Sequence, residues 1–334
     1  MARFLLSLLG LFTLVLRAQP GALHFQHLTV EDGLTDNAVT CVFEDHAGYI
    51  WIGTERGLNR YDGQRIERID NTSNLITAVA QGGDGVIWFT TLNAGLGRVD
   101  PSTRKVTRFQ HDPNDPRSLP TNSLNHVLVL DDSLLVLSSR GRGAIWYHLR
   151  SGAAQCLGFR PVKVNDRGDT IARAENDWCH TAVRLDDGHI VLLMLRSPGP
   201  CVVDAQTGRL EATLAAAKGP ITNALLDDGA LYMGGWMSGM YRADPEKPEA
   251  VSYFPMDEEI TSMVQWDDRC LLAATKVSGL IWIGKDGGIM GRSRHVRSDP
   301  SSLSSDRTTC LLRDRAKNLW VGTAKGVSVY APSV

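Results

Sequence analysis

Near one end of this chain of 334 residues stands Asp45-His46-Ala47-Gly48-Tyr49-Ile50-Trp51-Ile52-Gly53-Thr54, and near the other stands Asp314-Arg315-Ala316-Lys317-Asn318-Leu319-Trp320-Val321-Gly322-Thr323. Both passages put Trp six residues after Asp and Gly-Thr immediately beyond the next residue. Matching units at the two extremes of a chain indicate a repeat architecture, and that restricts the fold more than any composition does.

Weaker copies fill the interval. Asp84-Gly85-Val86-Ile87-Trp88 is the clearest, and Asp131-Asp132, Asp186-Asp187, Asp227-Asp228 and Asp267-Asp268 each precede an apolar run. A second register supports the series: Gly57 to Asp62, Gly95 to Asp100, Gly199 to Asp204 and Gly239 to Asp244 keep one spacing. Seven turn signals between Asp45 and Asp314 make six intervals of roughly 45 residues, the length of a four-stranded propeller blade.

One unit can be read residue by residue. Val39 to Phe43 is a strand, Asp45 to Gly48 a turn, and Tyr49 to Gly53 a second strand apolar on both faces. Gly57 opens a third strand, and Tyr61-Asp62-Gly63 turns into a fourth, Arg65 to Ile69. A sheet apolar on both faces must be covered on both sides, which radially stacked blades do, with Trp51, Trp88 and Trp320 between them. The last unit lacks an outer strand, and the upstream segment His24 to Thr29 would supply it and remove the open edge. The expectation is an all-β, seven-bladed β-propeller of four-stranded antiparallel blades, closed by an N-terminal strand (24–29) that completes the last blade (about 303–334). Residues 19–334 then form one domain. His111 to Asn122 reads as a blade-to-blade connection, and Asn165 to Thr170 as a polar excursion.

Hydrophobic residues make up 43% of the chain and charged residues 22%, which excludes disorder. A formal net charge of −2, with no basic-aromatic cluster, argues against nucleic acid as a partner. Residues 1–18 differ in kind. Arg3 precedes the apolar run Phe4 to Leu16, whose thirteen residues would span about 20 Å as a helix, short of the roughly 30 Å hydrocarbon core. The segment reads as a signal peptide, leaving no membrane span in a mature chain that is periplasmic or secreted. Cys41, Cys156, Cys179, Cys201, Cys270 and Cys310 show no zinc-like spacing and read as buried thiols, Cys41 and Cys310 at equivalent positions of the first and last units.

The phrases Val30-Glu31-Asp32-Gly33-Leu34-Thr35-Asp36-Asn37-Ala38-Val39, Gly48-Tyr49-Ile50-Trp51-Ile52-Gly53-Thr54 and Asn318-Leu319-Trp320-Val321-Gly322-Thr323 resemble the two-component regulator propeller repeat. The resemblance is strong in the first and last units, moderate in the second, and reduced to a turn-and-Gly skeleton in the four between. It implies an extracytoplasmic sensor region of a bacterial histidine kinase or hybrid sensor, a class many of whose members are linked to glycan sensing. Nothing after the last unit corresponds to the family's β-sandwich, membrane helix or kinase. Two readings follow: a free-standing propeller signalling through a separate sensor kinase, or the sensor piece of a split or truncated gene.

No catalytic constellation is evident: GxSxG, HExxH and P-loop motifs are all absent, and no cofactor or metal ligand set is spaced as such. One enzymatic alternative is that Gly85 to Thr91 with Gly95 to Pro101 is similar to a blade of the streptogramin lyase propellers. That resemblance implies a His base and a magnesium site, with His180 and His189 of one unit as candidates.

A binding site would gather where second strands turn into third strands around the channel. By register these loops carry Arg56, Asn93, Arg140, Arg142, Trp236, Lys276 and Lys325, with Ser197 to Pro200 in the fourth unit. Converging guanidinium groups suit carboxylate or sulfate, and Trp236 suits a sugar ring. The expected function is therefore a non-catalytic sensor propeller binding an anionic oligosaccharide, with a secreted scaffold for an envelope protein as the alternative beside the lyase.

Overall fold

A computed structural model of the protein describes residues 23–157, 163–164, 170–172, 177–185, 188–195, 199–236 and 239–332. The proposed leader, 1–18, lies outside the described residues. Seven four-stranded antiparallel sheets form a β-propeller. Blade 1 comprises Val39–Glu44, Ile50–Thr54, Gly57–Tyr61 and Ile66–Arg68, from the centre outward. The inner strands of blades 2 to 7 are Ile76–Gln81, Leu124–Asp131, Cys179–Arg184, Ile221–Asp227, Ile260–Gln265 and Thr308–Arg313. They neighbour one another in cyclic order, and Thr308–Arg313 meets Val39–Glu44 to complete the ring.

The ring closes as the unpaired edge required. Gln26–Leu28 is the outer strand of blade 7, with Gln26 opposite Val329, His27 opposite Ser328 and Leu28 opposite Val327. The chain then turns through a 3-10 turn, Val30–Asp32, capped by Thr29 and ended by Gly33 at φ 117°. Asn37 ties this connection down. Its side chain accepts from Val30 N at 2.9 Å, and its carbonyl accepts from Gly326 N at 2.7 Å. Beyond the seven blades, the described residues include a two-stranded hairpin, Lys163–Val164 with Thr170–Ala172, overlapping the stretch read as a polar excursion.

The three expected tryptophans pack between blades. Trp51 is fully buried among Ile76, Ile87 and Phe89 of blade 2. Trp320 packs on Val39 and Ile52 of blade 1 and stands edge-on to Tyr61 at 5.7 Å. Trp88 joins a cluster with Leu124 and Tyr147 of blade 3. Truncating one such side chain to alanine costs about 3–5 kcal/mol.

The Gly-Thr pair has two separate jobs. A Cβ on Gly53 would overlap Cys41 Sγ and stand 2.9 Å from Ile76 Cγ2, and one on Gly322 would overlap Cys310 Sγ and stand 2.9 Å from Val39 Cγ1. The glycine therefore makes room for the inner strand and the next blade together. The threonine closes the following loop: Thr54 Oγ1 donates to Gly57 O at 3.0 Å and Thr323 Oγ1 to Gly326 O at 2.9 Å. Thr91, Ser139 and Thr275 do the same in blades 2, 3 and 6. Cys41 and Cys310 are free thiols. Burial, then the neighbouring Cys310, pushes Cys41 up to about 12, so it stays a thiol at neutral pH.

Candidate functional site: the channel rim

Every inner strand begins at the same end of the ring and carries a β-bulge at its second residue: Thr40, Thr77, Asn125, His180, Thr222, Thr261 and Thr309. A bulge re-aims its side chain. Here it is aimed at the adjacent blade. Thr40 Oγ1 donates to Ile76 O at 2.6 Å, Thr77 Oγ1 to Leu124 O at 3.0 Å, Thr261 Oγ1 to Thr308 O at 3.0 Å and Thr309 Oγ1 to Val39 O at 2.8 Å. Each bond ties one inner strand to the first residue of the next. In blade 5 the neighbouring Asn223 makes the equivalent bond, from Nδ2 to Ile260 O at 2.7 Å.

Two adjacent blades depart from threonine, and both departures carry extra chemistry. Asn125 keeps the tie, donating from Nδ2 to Cys179 O at 3.0 Å, but its second polar atom accepts from Arg140 Nε at 3.1 Å. His180 stands edge-on to Trp236, ring centroids 6.3 Å apart at 83°. The Arg140 guanidinium lies 5.6 Å from the centre of the Trp178 ring. Burial, and secondarily Arg140, lowers His180 to about 4 against a counteracting hydrogen bond to the Thr222 backbone. Its imidazole is neutral at neutral pH. His126 is likewise lowered to about 4, by burial and then by His180, and its Nδ1 is buried without a partner.

The loops around this ring share one geometry. The first residue after each second strand donates its N–H to the residue just before the inner strand, as in Glu55 N to Ala38 O, Arg140 N to Ser123 O and Trp236 N to Pro220 O. Trp236 and Arg140 therefore occupy the position that Glu55 holds in blade 1, and Trp178 is the blade 4 counterpart of Ala38.

The residues expected from sequence all lie in these loops, but they are not equivalent in charge. Arg56 is paired with Asp36 at 3.1 Å and Lys276 with Glu259 at 2.9 Å. Arg142, Lys325 and Asn93 are exposed, and Arg142 bridges to Asp177 through the backbone. Trp236 is 40% exposed. Residues 196–198 and 237–238, parts of two of the expected loops, lie outside the described residues. Sequence reasoning missed Trp178, Asn125 and exposed Arg307, the last in the blade 7 connection. Trp178 was signalled only by its position one residue before an inner strand.

His180 and His189 do lie on adjacent strands of blade 4, but at opposite ends. His180 is the second residue of Cys179–Arg184, whereas His189 O accepts from Leu185 N beyond that strand's far end. Five residues of strand separate the two levels by about 16 Å. They cannot share a metal or a substrate atom, and no group of three potential ligands occurs among the described residues.

A family model described as the two component regulator propeller matches residues 33–56 and 302–325, which run from the connection through the first two strands of blades 1 and 7. Blades 1 and 7 each carry a match to this repeat. A histidine kinase designated P4, from Formosa agariphila, is 33% identical over 77 residues, which is 23% of this chain and 6% of that protein. A solved extracellular domain described as that of the hybrid two-component system BT3049 of B. thetaiotaomicron superposes with a TM-score of 0.77. It is 22% identical and is matched over 93% of this chain and 42% of its own. A streptogramin B lyase gives 0.67 at 11% identity, covering 92% and 96% of the two chains. At these identities both structures establish the propeller fold alone. The chain thus spans a small fraction of the kinase and about two-fifths of the BT3049 domain.

Proposed function

We propose that this regulator propeller is an extracytoplasmic sensor module that binds an anionic oligosaccharide at the channel rim and passes occupancy to a histidine kinase, with no catalysis of its own. The observation that carries the reading is the charge at the rim. Arg56 and Lys276 are cancelled by Asp36 and Glu259, whereas Arg140, Arg142 and Lys325 have no carboxylate partner among the described residues. Guanidinium groups without carboxylate partners, on the rim that also carries exposed Trp236, fit a ligand that brings both negative charge and a sugar face. The likeness to the histidine kinase and to the extracellular domain of the BT3049 system supports the signalling half of the proposal.

The test is an array of uronate and sulfated oligosaccharides followed by calorimetry on the hits. Arg140→Ala combined with Arg142→Ala is expected to weaken binding at least tenfold. Equal affinity in the double variant, or an array without a hit, would overturn the reading.

A further inference from the structure

Resting on that reading, we infer that the rim between blades 3, 4 and 5 is a subsite for a single uronic acid residue, with Trp178 and Trp236 as its walls, His180 on its floor and Arg140 as its carboxylate clamp. The argument begins from the broken symmetry of the bulge ring. Five of its seven positions are threonine, and four of those threonines bond the next blade. A Thr at 125 or 180 would have served the same junction. Asn at 125 adds an acceptor that the junction does not need, and that acceptor holds Arg140 Nε. His at 180 adds a ring against which Trp236 stands. Both residues keep their junction, Asn125 through Cys179 O and His180 through the Thr222 backbone, and what each adds beyond that bond builds the same corner.

The corner's chemistry is specific. Arg140 is oriented from two sides, by Asn125 and by the Trp178 ring, so its fork is fixed before a ligand arrives. Neutral His180, already bonded to the Thr222 backbone and with Nδ1 3.5 Å from Thr181 Oγ1, gives the corner a flat ring floor without adding charge. Indole faces pack on the apolar faces of pyranose rings, and Trp236 is open enough to do so. A pyranose carrying a carboxylate matches this set: one ring, one planar anion and hydroxyls between them.

The experiment compares an oligogalacturonate with a neutral galacto-oligosaccharide of equal length by calorimetry. His180→Thr installs the residue that the ring already uses elsewhere, so it keeps the fold. That variant and Trp236→Ala are each expected to weaken oligogalacturonate binding about tenfold, and Asn125→Thr to reduce the preference over the neutral sugar. If His180→Thr and Trp236→Ala bind like the wild type while Arg140→Ala with Arg142→Ala does not, the subsite is wrong and the rim reading stands. Binding of sulfated but not uronate probes also removes the subsite alone. No binding of any anionic oligosaccharide by the wild type removes both.

Discussion

The carboxylate of Asp45 accepts the indole N–H of Trp51 at 2.7 Å, six residues further along the chain. Its other oxygen accepts from Ala47 N at 2.9 Å and Tyr49 N at 3.0 Å, so one buried side chain holds both the turn and the inter-blade tryptophan. Asp314 repeats the arrangement, accepting from Trp320 Nε1 at 2.8 Å and Asn318 N at 2.7 Å. The motif that reveals the repeat is therefore a structural bond, not a ligand site.

Asp45→Ala orphans the buried Trp51 indole N–H and two part-buried turn amides and is expected to cost about 2–4 kcal/mol. Trp51→Phe keeps most of the packing and leaves the turn amides bonded, so about 1–3 kcal/mol should suffice. Denaturant midpoints of the two variants check the order. A milder effect for Asp45→Ala than for Trp51→Phe would contradict this account.

Ring closure should be lockable. Gln26 and Val329 are direct partners across the last strand pair, and opposed residues of antiparallel strands sit about 4.5–5.5 Å apart, within disulfide range. Gln26→Cys with Val329→Cys is expected to form a disulfide that ties the first strand of the described residues to the last. The gain should be about 2–5 kcal/mol, read as a raised Tm that reduction reverses. A pair that stays reduced under oxidising conditions would argue against the register.

Acid should weaken the fold in two separate windows. His126 and His180 have folded values of about 4 against about 6.5 when unfolded. Between those values the unfolded chain binds more protons, so stability falls as pH drops from 6.5 towards 4, by up to about 3 kcal/mol per imidazole and less in sum because the two repel. Carboxylates act lower down. Asp100 is held at about 2 by Ser102 and Thr103, and its contribution disappears only as pH falls below the usual carboxylate value. Thermal melts of wild type and His180→Thr from pH 7 to 4 should show a shallower slope in the variant; parallel curves would refute the assignment.

Much of the fold was legible because its bonds are local. Asp45 to Trp51, Thr54 to Gly57 and Gly53 against Cys41 all lie within two successive hairpins of one blade, so their requirements are written as short, repeated phrases. A second repeat escaped notice. His111 Nδ1 and His295 Nδ1 each bond a leucine carbonyl eight residues on, Leu119 and Leu303, at 2.6 Å. Both lie in connections of the form His-x-x-x-Asp-Pro-x-Ser-Leu, where Ser118 and Ser302 tie the loop back to Asp112 and Val296. The signal was present, but it sits between blades rather than within one.

By itself the sequence determined the wedge, the number of wedges and the strand that closes them, since each follows from hydrogen bonds and packing between residues near in the chain or from one unpaired edge. Only the tertiary structure decided the character of the rim: that Asp36 and Glu259 cancel Arg56 and Lys276, and that Arg140 meets Trp178 while His180 meets Trp236. The last two partnerships cross from one blade to the next. Charge and ring contacts depend on distance through space, which a ring of stacked sheets sets independently of separation along the chain.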